Sequence, residues 1–159
     1  MPDNLNERDI GWPKKLIAGI DEAGRGPWAG PVVSAAVILN EKNIPDGLND
    51  SKKLSEKKRL SLYSSIYNFH SVGVGISSIE EIDSMNVLQA TFLSMNRAVE
   101  DLNPQPEYIL VDGNLDPGLN FKTKCIIKGD SISISIAAAS VIAKVTRDNL
   151  MLKLDKEFP

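Results

Sequence analysis

Two adjacent acids, Asp21 and Glu22, follow an apolar run at residues 16–20 and precede Ala23, Gly24, Arg25, Gly26 and Pro27. Carboxylates crowded at the end of an apolar strand are costly unless a cation neutralises them, and hard oxygen ligands suit Mg²⁺ or Mn²⁺ better than zinc. The arginine between glycines adds a planar cation where the backbone can approach a ligand closely. Metal ions and phosphate brought to one place suggest phosphodiester chemistry.

The pattern recurs. Asp112 follows the apolar residues 108–111 and precedes Gly113, while Asp130 follows 125–127 by way of Lys128 and Gly129. A single aspartate after a strand is ordinarily a turn residue or a helix cap. Three such coincidences point instead to neighbouring strands delivering Asp21, Asp112 and Asp130 to one edge of a sheet, with Glu22 as a fourth acid. Two ions held about 4 Å apart by such a cluster could activate water on one side of a phosphodiester and stabilise the leaving oxygen on the other. No covalent enzyme nucleophile is then needed. The one histidine, His70, stands at an expected helix-to-strand junction and reads as a surface residue, so neither histidine-based catalysis nor a histidine and cysteine zinc cage is expected. The glycines do not give G-x-G-x-x-G, and neither a P-loop nor a G-x-S-x-G elbow occurs.

These acids need elements to position them. Residues 15–20 and 31–39 read as strands joined by a turn through Gly26, Pro27 and Gly30, and residues 71–76 alternate as a strand whose glycines admit close packing. Ser55 can cap a helix carrying Leu60, Tyr63, Ile66 and Tyr67, with the tyrosines expected to face the core. Ser78 and Glu81 form a capping box at the start of one long helix through Leu88, Phe92, Met95, Val99 and Leu102, stopped by Pro104 and Pro106. An apolar strand at 108–111, a shorter one at 125–127 and an alanine-rich helix over about 135–156 complete the order. Strands mixed with helices, without an internal repeat or linker, give a mixed α/β layer fold in one domain over residues 1–159.

Composition bounds the partners. A net charge of −3 argues against a generally basic nucleic-acid coat. Local clusters nevertheless exist: Lys52, Lys53, Lys57, Lys58 and Arg59, then Lys122, Lys124 and Lys128, then Lys144 and Arg147. Each alone is more often a solvated face than a binding track. The single cysteine, Cys125, reads as a small buried hydrophobe in a reducing compartment. No apolar signal region or bilayer-length run is present, so the expectation is a monomeric cytoplasmic protein with no membrane partner.

With these residues assembled, the chain resembles type 2 ribonuclease H, the ribonuclease HII family. The resemblance rests on residues 19–27 with Ala29, Gly30, Pro31 and Val32, and on residues 49–54. It continues through Val111, Asp112 and Gly113, through Lys128, Gly129 and Asp130, and through residues 135–140 and 143–148, covering nearly the whole chain. It implies an RNase H-like fold, a mixed central sheet flanked by helices. It also implies a metal-dependent endonuclease that hydrolyses RNA in RNA–DNA hybrids and cuts at ribonucleotides embedded in duplex DNA, leaving 3′-hydroxyl and 5′-phosphate ends. Carried over by motif, Asp21, Glu22, Asp112 and Asp130 would be the catalytic, metal-binding acids for Mn²⁺ or Mg²⁺. Gly24, Arg25 and Gly26 would read the ribonucleotide, since backbone groups exposed by glycine can reach a 2′-hydroxyl. Lys52 and Lys53 would approach the nucleic-acid backbone, and Ser140 and Lys144, four apart on one helix face, would contact phosphate or steady the site. Trp28 could stack on substrate, although packing over the hairpin is the commoner use of such a residue.

There is one departure from the family pattern. The family continues past the position of Phe158 and Pro159 into glycine-tyrosine-glycine segments, one of which supplies a tyrosine that packs on the sugar at the RNA–DNA junction. The C-terminal region therefore reads as truncated, and that tyrosine has no counterpart. The alternative function is a catalytically weak or silent hybrid-binding module; a related two-metal nuclease or strand transferase acting on DNA alone is a third reading.

Overall fold

The computed structural model describes residues 1–26 and 29–158, so Pro27, Trp28 and Pro159 lie outside the described residues. Five strands, β1 (Ile17–Ala23), β2 (Val32–Ile38), β3 (Ser71–Ser77), β4 (Tyr108–Asp112) and β5 (Thr123–Ile126), form one mixed sheet in the order β3-β2-β1-β4-β5. The β1/β2 and β2/β3 pairs are antiparallel, whereas β1/β4 and β4/β5 are parallel. Helices cover both faces. Helix α2 (Glu56–Phe69) and the 24-residue α5 (Ile134–Glu157) pack on one face, against Ala35 and Val37 of β2 and Leu39 just after it. Helix α4 (Val87–Glu100) packs on the other through Met95, Ala98 and Val99, against Ala18, Ile20, Ala36 and Ile38. Strand β2 is buried along its whole length, as an unbroken apolar run covered on both faces should be. Two short helices remain, α1 (Leu5–Asp9) before β1 and α3 (Ile79–Met85) before α4.

Close approach of helices to the sheet depends on missing side chains. A Cβ at Gly19 would collide with the backbone of Ser135 in α5, and one at Gly75 with the backbone of Ser94 in α4. The close packing expected at the glycines of β3 is thus that of a helix.

Several boundaries differ from expectation. The single long helix expected after Ser78 is two, broken at Asn86, which has φ +82° and caps α4 by accepting the Gln89 N–H at 3.0 Å. The apolar spacing runs on across the break, but an asparagine side chain that satisfies a free N–H starts a new helix there. Strand β1 runs on through Asp21 and Glu22 to Ala23, because its pairing with Ala35, Ser34 and Val33 continues past the apolar run. Tyr67 is 43% exposed rather than in the core; its ring lies 4.9 Å from that of Tyr63, which does pack against the core. Cys125 is only partly buried. No helix among the described residues is long and apolar enough to cross a membrane.

Candidate active site

Because β1, β4 and β5 are adjacent, their C-terminal ends gather the acids. Asp21 is the fifth residue of β1, Asp112 is the last of β4, and Asp130 sits in a 3₁₀ turn, Gly129–Ser131, just after β5 rather than at a strand end. One carboxylate oxygen from each of Asp21, Asp112 and Asp130 lies within 4.8 Å of the others. Glu22 is beside this trio but outside it: its Oε1 stands 3.6 Å from Arg25 Nη1, and its Oε2 is buried with no hydrogen-bond partner among the described residues.

The backbone fixes two of the acids. The Glu22 N–H donates to Asp21 Oδ1 at 2.8 Å, and the Gly129 N–H donates to Asp112 Oδ1 at 2.7 Å, which ties the turn carrying Asp130 to the end of β4. Among the described residues no lysine or arginine forms an ion pair with Asp21, Asp112 or Asp130. The cost appears in their protonation. Burial, then the charges of Glu22 and Asp112, hold the Asp21 carboxyl well above the usual carboxylate range. Burial likewise raises Glu22. Burial, Asp112 and Asp50 push Asp130 up to about 6. Crowded carboxyls, three of them without an ion pair among the described residues and the fourth with a buried oxygen lacking a donor there, fit a hard divalent ion: its charge would offset the repulsion and its coordination sphere would use the idle oxygen.

The acids line a cleft of about 440 Å³ together with Ala23, Gly24, Arg25, Gly26, Ser51, Lys52, Lys144 and Arg147. Positive side chains thus ring a negative centre, the arrangement a phosphodiester needs. Lys144 also pairs with Asp148 at 3.0 Å. Of the three basic clusters in the sequence, the third lines the cleft with both its members and the first with Lys52 alone, while Lys122, Lys124 and Lys128 do not line it. Lys53 turns instead to Ser131, its Nζ 3.3 Å from the hydroxyl. Ser140 is 3% exposed and not on the cleft wall: its Oγ accepts the Ser51 N–H at 3.2 Å and donates to the Ala137 carbonyl at 2.8 Å. A direct phosphate contact would require breaking that arrangement, which leaves Ser140 supporting the Lys52 turn. Trp28 lies outside the described residues. His70 lines a separate cavity of about 600 Å³ at the other end of the sheet, where Nδ1 accepts the Asn40 N–H and Nε2 bonds the Asn43 carbonyl.

Three residues have roles at the site that the sequence left unassigned. Asp50 is buried, caps the turn Ser51–Lys53 by accepting the Lys52 N–H at 3.0 Å, and adds its charge beside Asp130. Its signal was the Asp-Ser-Lys order of an Asx turn. Arg59 donates to the carbonyls of Ser51 at 3.0 Å and Leu54 at 2.8 Å, holding the same turn from α2. Arg147 donates from Nε to the Pro31 carbonyl at 3.0 Å and lies under the arginine-glycine loop. Gly24, at φ +104°, has no room for a side chain: a Cβ would collide with Arg147 Nε and stand 2.6 Å from the Pro31 carbonyl oxygen. Gly24→Ala is accordingly expected to cost roughly 1–2 kcal/mol of stability through backbone strain and to displace the loop. Denaturant unfolding of the variant beside the parent checks it.

The ribonuclease HII family model matches residues 18–159, which include every acid of the cleft. The chain belongs to the ribonuclease HII family. It is 53% identical to the ribonuclease HII of Jannaschia sp. (strain CCS1) over 159 residues, covering 99% of this chain and 78% of that protein. Among solved structures, the ribonuclease H2 of Pyrococcus horikoshii OT3 superposes with a TM-score of 0.72 at 31% identity, covering 89% of this chain and 76% of that one. Bst-RNase HIII, solved in complex with Mn²⁺, gives 0.78 at 24% identity over 99% of this chain and 59% of its own, a likeness of fold. The RNase H-like mixed α/β fold expected from the motifs is thus the fold of the chain, and a ribonuclease HII is an endoribonuclease that cleaves RNA in RNA–DNA hybrids.

Proposed function

We propose that this chain hydrolyses the RNA strand of RNA–DNA hybrids and cuts at ribonucleotides embedded in duplex DNA, by a two-metal mechanism that leaves 3′-hydroxyl and 5′-phosphate ends. The observation that carries the reading is the trio of carboxylate oxygens within 4.8 Å of one another, in the same cleft as Gly24, Arg25 and Gly26. Asp21, Asp112 and Asp130 would hold the ions, with Glu22 contributing its buried Oε2, which has no partner among the described residues. Divalent cations bound there would polarise the phosphodiester and the attacking water and neutralise the leaving oxygen. Mn²⁺ and Mg²⁺ are the ions the all-oxygen donor set favours, and the complex of Bst-RNase HIII with Mn²⁺ agrees with that choice.

The rest is positioning. The N–H groups of Glu22 and Gly129 hold Asp21 and Asp112 in place, so the acids need not reorganise when substrate arrives. Lys52, Lys144 and Arg147 on the cleft wall would take phosphates on either side of the scissile bond, with Lys53 further out along the duplex. Backbone at Gly24 and Gly26, both on the cleft wall, would meet the 2′-hydroxyl, the atom that separates RNA from DNA. The three substrates to compare are an RNA–DNA hybrid, a DNA duplex carrying one ribonucleotide, and an all-DNA duplex, each with Mn²⁺ or with EDTA and with the ends mapped. Cutting of the first two alone, only with metal and with the stated ends, is the expected result. Cutting of all-DNA duplex would reject the reading, and tight hybrid binding without turnover would replace it with that of a binding module.

A further inference from the structure

The residues before β1 fall outside the stretch matched by the family model, yet they are fastened to the turn that carries Asp130. Asp3 pairs with Ser133 in a parallel bridge: the Asp3 N–H donates to the Ile132 carbonyl at 3.0 Å, and the Ile134 N–H donates to the Asp3 carbonyl at 3.0 Å. Glu7 of α1 is completely buried, and its Oε2 accepts both the Ser133 hydroxyl at 2.6 Å and the Ser135 N–H at 3.0 Å. Ser133 is the N-cap of α5, its Oγ in turn accepting the Ile136 N–H at 3.2 Å. The N-terminal segment is itself anchored, since the Trp12 indole N–H donates to the Leu39 carbonyl at 2.9 Å and Arg8 lies over the Trp12 ring.

Burying a carboxyl is expensive, and Glu7 Oε1 has no hydrogen-bond partner among the described residues. An apolar side chain would fill that space at lower cost. What the acid offers is acceptors for the free N–H groups at the start of α5, where the helix dipole also favours it. The turn at residues 129–133 is thus gripped at both ends: Gly129 by Asp112, and Ser133 by Glu7 and Asp3. Asp130 lies between the two grips.

We propose that the N-terminal segment is a positioning strap, in which Glu7, helped by Asp3, sets where Asp130 stands among the acids of the cleft. Glu7 is a positioning residue and touches neither metal nor substrate. The inference rests on the reading of Asp130 as a metal ligand. Mn²⁺ affinity, measured by calorimetry on the folded chain without substrate, tests it. Glu7→Ala is expected to weaken Mn²⁺ binding about tenfold, the lower end of what loss of a group supporting a ligand costs. Glu7→Gln, which keeps an oxygen acceptor, should stay within about threefold of the parent, and Glu7→Ala should weaken binding no further once Asp130→Asn is present. A Glu7→Ala protein that melts earlier yet binds Mn²⁺ as tightly as the parent overturns the strap and leaves a helix buttress. Should Glu7→Ala fail to fold, Asp3→Pro, which removes one donor of the bridge, carries the same measurement with the same two outcomes. If Asp130→Asn itself leaves Mn²⁺ affinity unchanged, the ligand assignment falls and takes the strap with it, whereas an effect of Asp130→Asn without one of Glu7→Ala removes the strap alone.

Discussion

Asp21→Asn is expected to slow cleavage about a thousandfold or more, roughly 4 kcal/mol of barrier, while hybrid binding stays within about threefold. Asp21 is 4% exposed and contributes to the trio from the central strand, with one oxygen held by the Glu22 N–H. Asparagine keeps the shape and one acceptor but brings no negative charge to a divalent ion, so the loss should fall on kcat rather than on binding by the basic cleft wall. The substitution also removes a buried acid from among like charges. The variant should therefore melt at a higher temperature than the parent when metal is absent, a result that separates damaged chemistry from a damaged fold. Single-turnover cleavage beside hybrid titration checks the first part, and thermal melts in EDTA the second.

The second large effect is a dependence of stability on pH that metal reverses. In the metal-free protein the Asp130 carboxyl titrates at about 6, and Asp21 and Glu22 are raised as well, all first by burial. An unfolded chain releases these protons near pH 4, whereas the folded chain keeps them to higher pH. Between those values the folded state binds more protons, so these groups lower stability as pH rises from about 4 through 6 and beyond. Melts in EDTA should show the parent losing several degrees relative to Asp130→Asn across that interval. Mn²⁺ or Mg²⁺ at neutral pH should restore the loss, because an ion that binds only the folded cluster stabilises it by mass action. Activity runs the opposite way: protons compete with the ions, so cleavage should fall as pH drops below about 6. A parent and an Asp130→Asn curve that stay parallel in EDTA would contradict the electrostatic account of the cleft.

What the sequence made legible was what breaks a local rule. Asp21, Glu22, Asp112 and Asp130 interrupt apolar runs where charge is unfavourable, and such conflicts between local and global preference concentrate at functional sites. Apolar runs located four of the strands and period-two alternation the fifth, β3, whose glycines foretold close packing though not that a helix supplies it. What stayed hidden depends on partners distant in the chain. Nothing near Glu7 announces a ligand 126 residues away in Ser133, and nothing near Ser140 announces the Ser51 N–H that occupies it. The extension of β1 through two acids is decided by its ladder with β2, not by its own residues. Asn86 was readable in principle, as a capping residue ahead of an apolar run, but the continuing helical period on either side concealed it. Glu22 follows from its adjacency to Asp21 and from the family motif, and it lines the same cleft; what neither signal foretold is that its carboxyl pairs with Arg25 while Asp21 joins the trio.

The most direct test is the rate at which the parent and Asp112→Asn cut a DNA duplex carrying one ribonucleotide, with Mn²⁺ or Mg²⁺ and the folded state of both proteins established. Asp112 closes β4, accepts the Gly129 N–H, and shares the trio with Asp21 and Asp130. Cutting by the parent at the ribonucleotide, with a 3′-hydroxyl and a 5′-phosphate, and none above background by Asp112→Asn is the predicted result. Equal cutting by the two proteins would show that the acids gathered at the ends of β1 and β4 are not where the reaction happens.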